Sequence, residues 1–175
     1  MADNRHANSV YLLDPEDRAV FPLESFRPSR SMKKFMRKMS WRVSFNEDFP
    51  AVIEACADDR DDTWISYGIE ALYTHIHEQG DAHSVEVWDG DDLIGGLYGV
   101  SQGGAFFGES MFSRRSNASK VALISLVDHL KSRKFVLLDA QFMTDHLASL
   151  GAIEISRTDY RRELAAAIHL DVSFD

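Results

Sequence analysis

A carboxylate in the middle of an apolar strand needs either a partner or a task, and Glu109 stands in that position. The stretch Gly103-Gly104-Ala105-Phe106-Phe107-Gly108-Glu109-Ser110-Met111-Phe112-Ser113 carries apolar residues at 105, 106, 107, 111 and 112, the pattern of a strand covered on both faces. An unpaired charge buried there is neutralised or costs several kcal/mol, which makes Glu109 a candidate functional residue. A buried ion pair with Arg114 or Arg115 is the structural alternative. A second candidate lies at Phe135-Val136-Leu137-Leu138-Asp139-Ala140-Gln141, a buried strand ending in polar groups, where open α/β sheets place their sites. Asp139 and Gln141 are two apart and project to one face, so the carboxylate could orient the neighbouring amide or deprotonate through it. Alternatively, Asp139 caps the following helix or pairs with a nearby cation.

Charge supplies the next signal. The 175 residues carry a net charge of -9, which disfavours indiscriminate nucleic-acid binding, yet the sum hides a local patch. Arg27, Arg30, Lys33, Lys34, Arg37, Lys38 and Arg42 follow one another with no acid between, while acids crowd at Asp58 to Asp62 and Asp89 to Asp92. Ser31 is expected to cap a helix with Met32, Phe35, Met36 and Met39 on one face and Lys33, Lys34, Arg37 and Lys38 on the other. That face is either solvated or binds phosphates. Trp64 stands at the entry to a helix, as a lid on the core or a stacking surface. His83 alternates with Val85 and Val87 and reads as a core histidine; Cys56, the only cysteine, reads as core as well. With no disulfide available, no apolar run long enough for a bilayer and no signal-peptide pattern in Met1 to Ser9, a cytoplasmic setting without membrane contact is expected.

These residues need a scaffold, and the chain is long enough for one domain with a real core, hydrophobic residues making up 45% of it. Residues 1–17 are expected to form an N-terminal tail and 18–175 a single domain. The tail ends in turn chemistry at Asp14-Pro15-Glu16-Asp17, and neither that turn nor the short apolar Ala19-Val20-Phe21-Pro22-Leu23 is given a part in the chemistry. Arg42 to Phe45 reads as a strand, and Asn46 as the cap of a helix bearing Phe49, Val52, Ile53 and Cys56. A second helix turns Ile69, Leu72, Tyr73 and Ile76 inward. A three-strand meander follows over His83 to Trp88, Leu93 to Ser101 and Ala105 to Phe112, and Gly95, Gly96 and Gly99 in its middle strand suggest a bulge or a close approach by a ligand. Asn117 then opens a long helix, and a strand, a short helix, a last strand and a terminal helix complete the chain. Strand, two helices, three antiparallel strands, helix, strand, helix, strand is the order of an α/β (α+β) fold of the acyl-CoA N-acyltransferase (GNAT-like) type, a mixed sheet flanked by helices. In CoA-dependent members of that fold a glycine-rich loop surrounds the donor's pyrophosphate; here the corresponding Arg114-Arg115-Ser116-Asn117-Ala118-Ser119 contains no glycine.

At these residues the chain resembles the leucyl/phenylalanyl-tRNA–protein transferases. The likeness runs from about Arg18 to Leu164 through Ser29-Arg30-Ser31-Met32-Lys33, Thr63-Trp64-Ile65, Ala82-His83-Ser84-Val85-Glu86-Val87-Trp88, Gly95-Gly96-Leu97-Tyr98-Gly99-Val100, Gly108-Glu109-Ser110-Met111-Phe112-Ser113, Asn117-Ala118-Ser119-Lys120 and Asp139-Ala140-Gln141. The resemblance implies transfer of Leu, Phe or a similar apolar amino acid from aminoacyl-tRNA to the N-terminal α-amine of a protein that begins with Arg or Lys, marking it for N-degron degradation. It implies Asp139 and Gln141 as the catalytic pair, Glu109 as a residue that helps hold the reacting groups, and Trp64 as the platform for the terminal adenosine of the tRNA. Leu97, Phe106, Leu123, Leu126 and Leu138 would line the pocket for the transferred side chain. Arg30, Lys33, Lys34, Arg37, Lys38, Arg114 and Arg115 would then face the tRNA. Family members usually carry an additional N-terminal portion, and Leu12 and Leu13 stand here where a Trp pair would be expected.

Such a reaction starts from an activated ester and needs neither metal nor cofactor besides the aminoacyl-tRNA co-substrate: it needs positioning, a modest base and oxyanion stabilisation. Gln141 is expected to accept from the attacking amine and Asp139 to hold and polarise Gln141, with Glu109 and Asp139 supplying a negative pocket for a basic acceptor residue. Two rival classes are a CoA-dependent N-acetyltransferase, disfavoured by the glycine-free loop, and a non-catalytic tRNA- or peptide-binding relative, disfavoured by the intact Asp139, Gln141 and Glu109.

Overall fold

The apolar alternation after residue 80 does become a meander, but the sheet it belongs to recruits the N-terminal part of the chain as well. In the computed structural model, which describes residues 1–58 and 63–175, the elements are β1 (Asp17–Phe21), α1 (Arg30–Met36), β2 (Arg42–Phe45), α2 (Phe49–Asp58), α3 (Tyr67–Glu78), β3 (Ala82–Asp89), β4 (Asp92–Gln102), β5 (Ala105–Ser113), α4 (Ala118–Ser132), β6 (Leu137–Gln141), α5 (Asp145–Leu150), β7 (Ile153–Ser156) and α6 (Arg157–Ala167). Residues 59–62 of the expected acidic stretch lie outside the described residues. The mixed sheet runs β2-β3-β4-β5-β6-β1-β7. Strands β2 to β5 are antiparallel neighbours, β5 and β6 are parallel, and β1 pairs antiparallel with both β6 and β7. This is the expected α/β architecture, a mixed sheet flanked by helices. The short apolar run at Ala19 is thus an interior strand, lying between β6 and β7.

Alternating side chains divide the core between the two faces of the sheet. On one face Val85, Leu97, Phe106 and Leu138 pack with Leu123, Leu126 and Leu130 of α4, and Met32, Phe35 and Met36 of α1 rest against them. On the other, Tyr98 and Phe112 pack with Val52 and Ile53 of α2 and Ile69 of α3, and Tyr160 of α6 covers Val20 and Leu137. Side chains such as Leu126 and Leu138 contribute about 1.5–3 kcal/mol each by leaving water. Leu72, read as inward, is exposed, and Tyr73 beside it packs on the core.

The helix starts differ from expectation in detail. Ser29, not Ser31, caps α1, its hydroxyl accepting from the Met32 N–H. Asp48 rather than Asn46 caps α2 by accepting from Ala51 N–H at 3.1 Å. Asn46 has φ +56 and is used to tie β2 to β3: its carbonyl accepts from Ser84 N–H and its amide donates to Nδ1 of His83. That leaves His83 a neutral imidazole whose Nε2 donates to Ser101, and burial lowers its pKa to about 4, as a core histidine requires. Residues 1–16 hold no helix or strand, yet they pack: Ala2 is buried with its N–H on the Trp64 carbonyl, and Arg5 pairs with Glu70 and lies over the Tyr67 ring.

Candidate active site

The site begins where β5 and β6 stop pairing. Their parallel register ends at Phe107↔Asp139, and beyond it the two strands are free to diverge. A cavity of about 360 Å³ opens in the gap. Its walls draw on both faces of the sheet: Leu97, Leu123, Leu126 and Leu138 from the α4 side, Tyr98 and Glu109 from the other, with Phe21, Met111 and Leu147 completing the apolar lining. An apolar void of that size forfeits dispersion contacts and falls in the range of small-ligand pockets. Of the five side chains named for the aminoacyl pocket, four line it. Phe106 does not; it is wholly buried in the core, stacked on Phe174 at 5.5 Å between ring centres.

Glu109 reaches this cavity because of a β-bulge. Across β4 and β5 the register runs Tyr98↔Ser110 and then Gly99↔Gly108, so Glu109 is the extra residue. The bulge suggested by the glycines of the middle strand therefore has its added residue on the facing strand. Gly99 permits it, since any Cβ there would collide with the Phe107 carbonyl and the Phe106 ring. The re-aimed carboxylate is not paired with Arg114 or Arg115; it is hydrogen-bonded by the hydroxyl of Tyr73 from α3 and by the side chain of Gln141 from β6. Burial raises its pKa, the two hydrogen bonds oppose that shift, and the charge of Asp139 adds to it.

Asp139 is wholly buried, and both its oxygens are occupied. Oδ2 accepts from Nη2 of Arg18 at 2.5 Å and from the hydroxyl of Tyr160 at 2.7 Å; Oδ1 accepts from the backbone N–H of Gln141 at 2.7 Å. Asp139 and Gln141 do not share a face in the way their spacing suggests. Ala140 is an extra residue in the β6–β1 ladder, where Ala19↔Gln141 is followed by Val20↔Asp139, and Gln141 adopts φ +66. Strand alternation ends there, sending Asp139 to α6 and the Gln141 side chain to Glu109. The contact from Asp139 to Gln141 is to the backbone, not to the side-chain amide. Sequence reasoning missed Arg18, Tyr160 and Tyr73. Arg18 and Asp139 are 121 positions apart, and no local pattern links them.

The remaining candidates lie around this centre. Trp64 is partly buried, packed against the α2–α3 core just before α3. Arg30, Lys33, Lys34, Arg37 and Lys38 are all exposed on α1 and the turn that follows it and, among the described residues, none of the five forms an ion pair. Beside them, Arg27, Lys33 and Arg37 share a second groove with Asp128 and Lys131 of α4, the same helix whose Leu123 and Leu126 face the cavity. Arg115 is engaged by Asp89 and Asp92 of the β3–β4 hairpin, and Arg114 donates to the Leu93 carbonyl.

Comparison with known proteins bears on what this site serves. The family model described as leucyl/phenylalanyl-tRNA protein transferase matches residues 20–165. The chain belongs to this family. It is 53% identical over 174 residues to a leucyl/phenylalanyl-tRNA–protein transferase of Cereibacter sphaeroides strain KD131, covering 99% of this chain and 81% of that one. A transferase of the same name from Maricaulis maris strain MCS10 is 51% identical over 177 residues, covering 99% and 82%. As a member of the family the protein is an aminoacyltransferase, which sets aside the CoA-dependent alternative. Two solved structures share the fold alone: a functionally unknown conserved protein from Staphylococcus epidermidis ATCC 12228 (TM-score 0.51, 9% identity) and L-PGS from Bacillus licheniformis (TM-score 0.51, 11% identity). The matches cover 80% and 77% of this chain, and 57% and 50% of theirs. Among the described residues of this family member no helix is long and apolar enough to cross a membrane.

Proposed function

We propose that the protein moves Leu, Phe or a similar apolar amino acid from aminoacyl-tRNA to the N-terminal α-amine of a protein beginning with Arg or Lys, marking it for degradation. The observation that carries this reading is the apolar cavity with one half-buried carboxylate, Glu109, on its wall and Gln141 hydrogen-bonded to it. A leucine or phenylalanine side chain suits a pocket walled by Leu97, Leu123, Leu126 and Leu138. Its carbonyl carbon then lies at the mouth, toward the polar pair.

The α-amine attacks the ester carbon, a tetrahedral intermediate forms, and the bond to the ribose oxygen breaks. On balance the amine loses one proton and the ribose oxygen gains one. A free α-amine has a pKa near 8, so a modest acceptor is enough; Gln141 takes the amine N–H as a hydrogen bond while Glu109 holds Gln141 and attracts the basic acceptor side chain. Because Arg18 matches the charge of Asp139, Glu109 is the carboxylate we assign to that attraction. Ser110, whose hydroxyl is buried on the cavity wall with no hydrogen-bond partner among the described residues, is the donor we assign to the developing oxyanion. Trp64 offers its ring to the terminal adenosine, and the basic face of α1 receives tRNA phosphates, with Arg114 and Arg115 in a lesser part.

Peptides beginning with Arg, Lys, Asp or Glu, offered with Phe-tRNA, test the acceptor side of this reading. Transfer to the Arg and Lys peptides and not to the acidic ones is expected, and a preference for Asp or Glu would overturn it.

A further inference from the structure

Arg18 on β1 and Tyr160 on α6 lie outside the sequence motifs that carry Glu109, Asp139 and Gln141. They nevertheless enclose Asp139, which is wholly buried beside the cavity. Nη2 of Arg18 and the hydroxyl of Tyr160 both donate to Oδ2 of Asp139, and Arg18 also donates to the Tyr160 oxygen at 3.3 Å. The guanidinium lies 4.5 Å from the centre of the Tyr160 ring, so the two side chains hold each other as well as the acid. The other oxygen of Asp139 has one use, the backbone N–H of Gln141. Gln141 sits at φ +66, a conformation that a residue with a side chain takes up only when its surroundings enforce it.

We propose that Arg18 and Tyr160 are positioning residues for aminoacyl transfer: through Asp139 they fix the left-handed turn at Gln141 that carries its side chain to Glu109. Neither touches substrate in this scheme. The chain of contacts runs from β1 and α6 through β6 to the cavity wall and ends on the group that meets the amine. Asp139 is then a clamp on the backbone of Gln141 rather than the group that meets the amine. Although burial alone would lower it, the hydrogen bond and charge of Asp139 raise the Arg18 pKa overall, which agrees with a close ion pair.

The inference rests on the transfer reading above, and the test separates the two. Single-turnover transfer from Phe-tRNA to an Arg-peptide is measured for wild type, Arg18→Gln, Arg18→Lys, Tyr160→Phe, Gln141→Ala and the Arg18→Gln/Gln141→Ala pair, with melting temperature and amide exchange at Gln141 read on the same samples. Failure of wild type to transfer contradicts the functional reading itself. With an active wild type, Arg18→Gln should slow transfer about 10²-fold with binding of charged tRNA unchanged. Tyr160→Phe, a mild change that keeps the ring, should slow it about 5-fold. Arg18→Lys should restore part of the rate, exchange at Gln141 should quicken, and the double variant should be no slower than Gln141→Ala. Additive losses in the pair, or variants that melt earlier yet transfer at the wild-type rate with Gln141 still protected, would overturn the proposal. If Arg18→Gln does not fold, a wild-type rate and wild-type exchange in Tyr160→Phe overturn it alone.

Discussion

Glu109 stands out in the sequence because a charge interrupts an apolar strand, and its surroundings show how a single inserted residue turns that anomaly toward a cavity. Burial raises its pKa, so ionising Glu109 costs more in the folded protein than in the unfolded chain, and the resulting penalty grows as pH rises through the folded-state value. Glu109→Gln removes the titration. Its melting temperature should therefore exceed that of wild type at pH 8, with the gap closing as pH falls below the ordinary glutamate range, while transfer to basic acceptors drops. Equal pH profiles of melting for the two proteins would contradict this. Asp139 differs in kind, since removing its charge strands Arg18 in a largely buried site. Asp139→Asn should destabilise the fold by about 3 kcal/mol in denaturant melts and slow transfer per folded molecule about 10²-fold. A stability loss with turnover intact would reduce Asp139 to a purely structural ion pair. Both acids were legible in the sequence. So was Gln141, which meets both; Tyr73, Arg18 and Tyr160 were not, because Tyr73 has the helical spacing of any core residue and the contacts of Arg18 and Tyr160 exist only after β1 enters the sheet.

Elements explain why the side chains point where they do. The meander, the long α4 and the buried strand at β6 follow from apolar periodicity and turn residues, and all were readable. Two irregularities were not: the bulge residue on β5 and the extra residue at Ala140 each depend on cross-strand register, which no single strand encodes. The pairing of β1 between β6 and β7 is likewise a long-range choice that its five residues do not announce. Gly99 is the point at which the β5 bulge can be tested. Gly99→Ala places a methyl group against the Phe107 carbonyl and the Phe106 ring, so the strands must separate or the bulge must shift. A loss of about 1–3 kcal/mol is expected from thermal melts, together with reduced transfer, since Glu109 would no longer be aimed into the cavity. Unchanged stability would mean that β4 and β5 absorb the methyl group without strain.

At the scale of the molecule, the acidic chain concentrates exposed cations on α1, while α4 turns Leu123 and Leu126 to the cavity and Lys131 to the basic groove. One helix thus borders both the proposed amino-acid pocket and the proposed phosphate surface. Replacing Lys33, Lys34, Arg37 and Lys38 with Gln should weaken tRNA binding and flatten its dependence on salt, each lost phosphate contact lowering the logarithmic slope by about 0.7–0.9. An unchanged slope would leave these residues as a solvated helix face. The most direct measurement of the central claim is single-turnover acyl transfer to an Arg-peptide from two competing donors, Leu-tRNA and acetyl-CoA. The cavity between β5 and β6, the Glu109–Gln141 pair beside it and the glycine-free loop after β5 predict Leu attached to the peptide N-terminus and no acetylation. Acetylated peptide with no leucylated product would contradict the account.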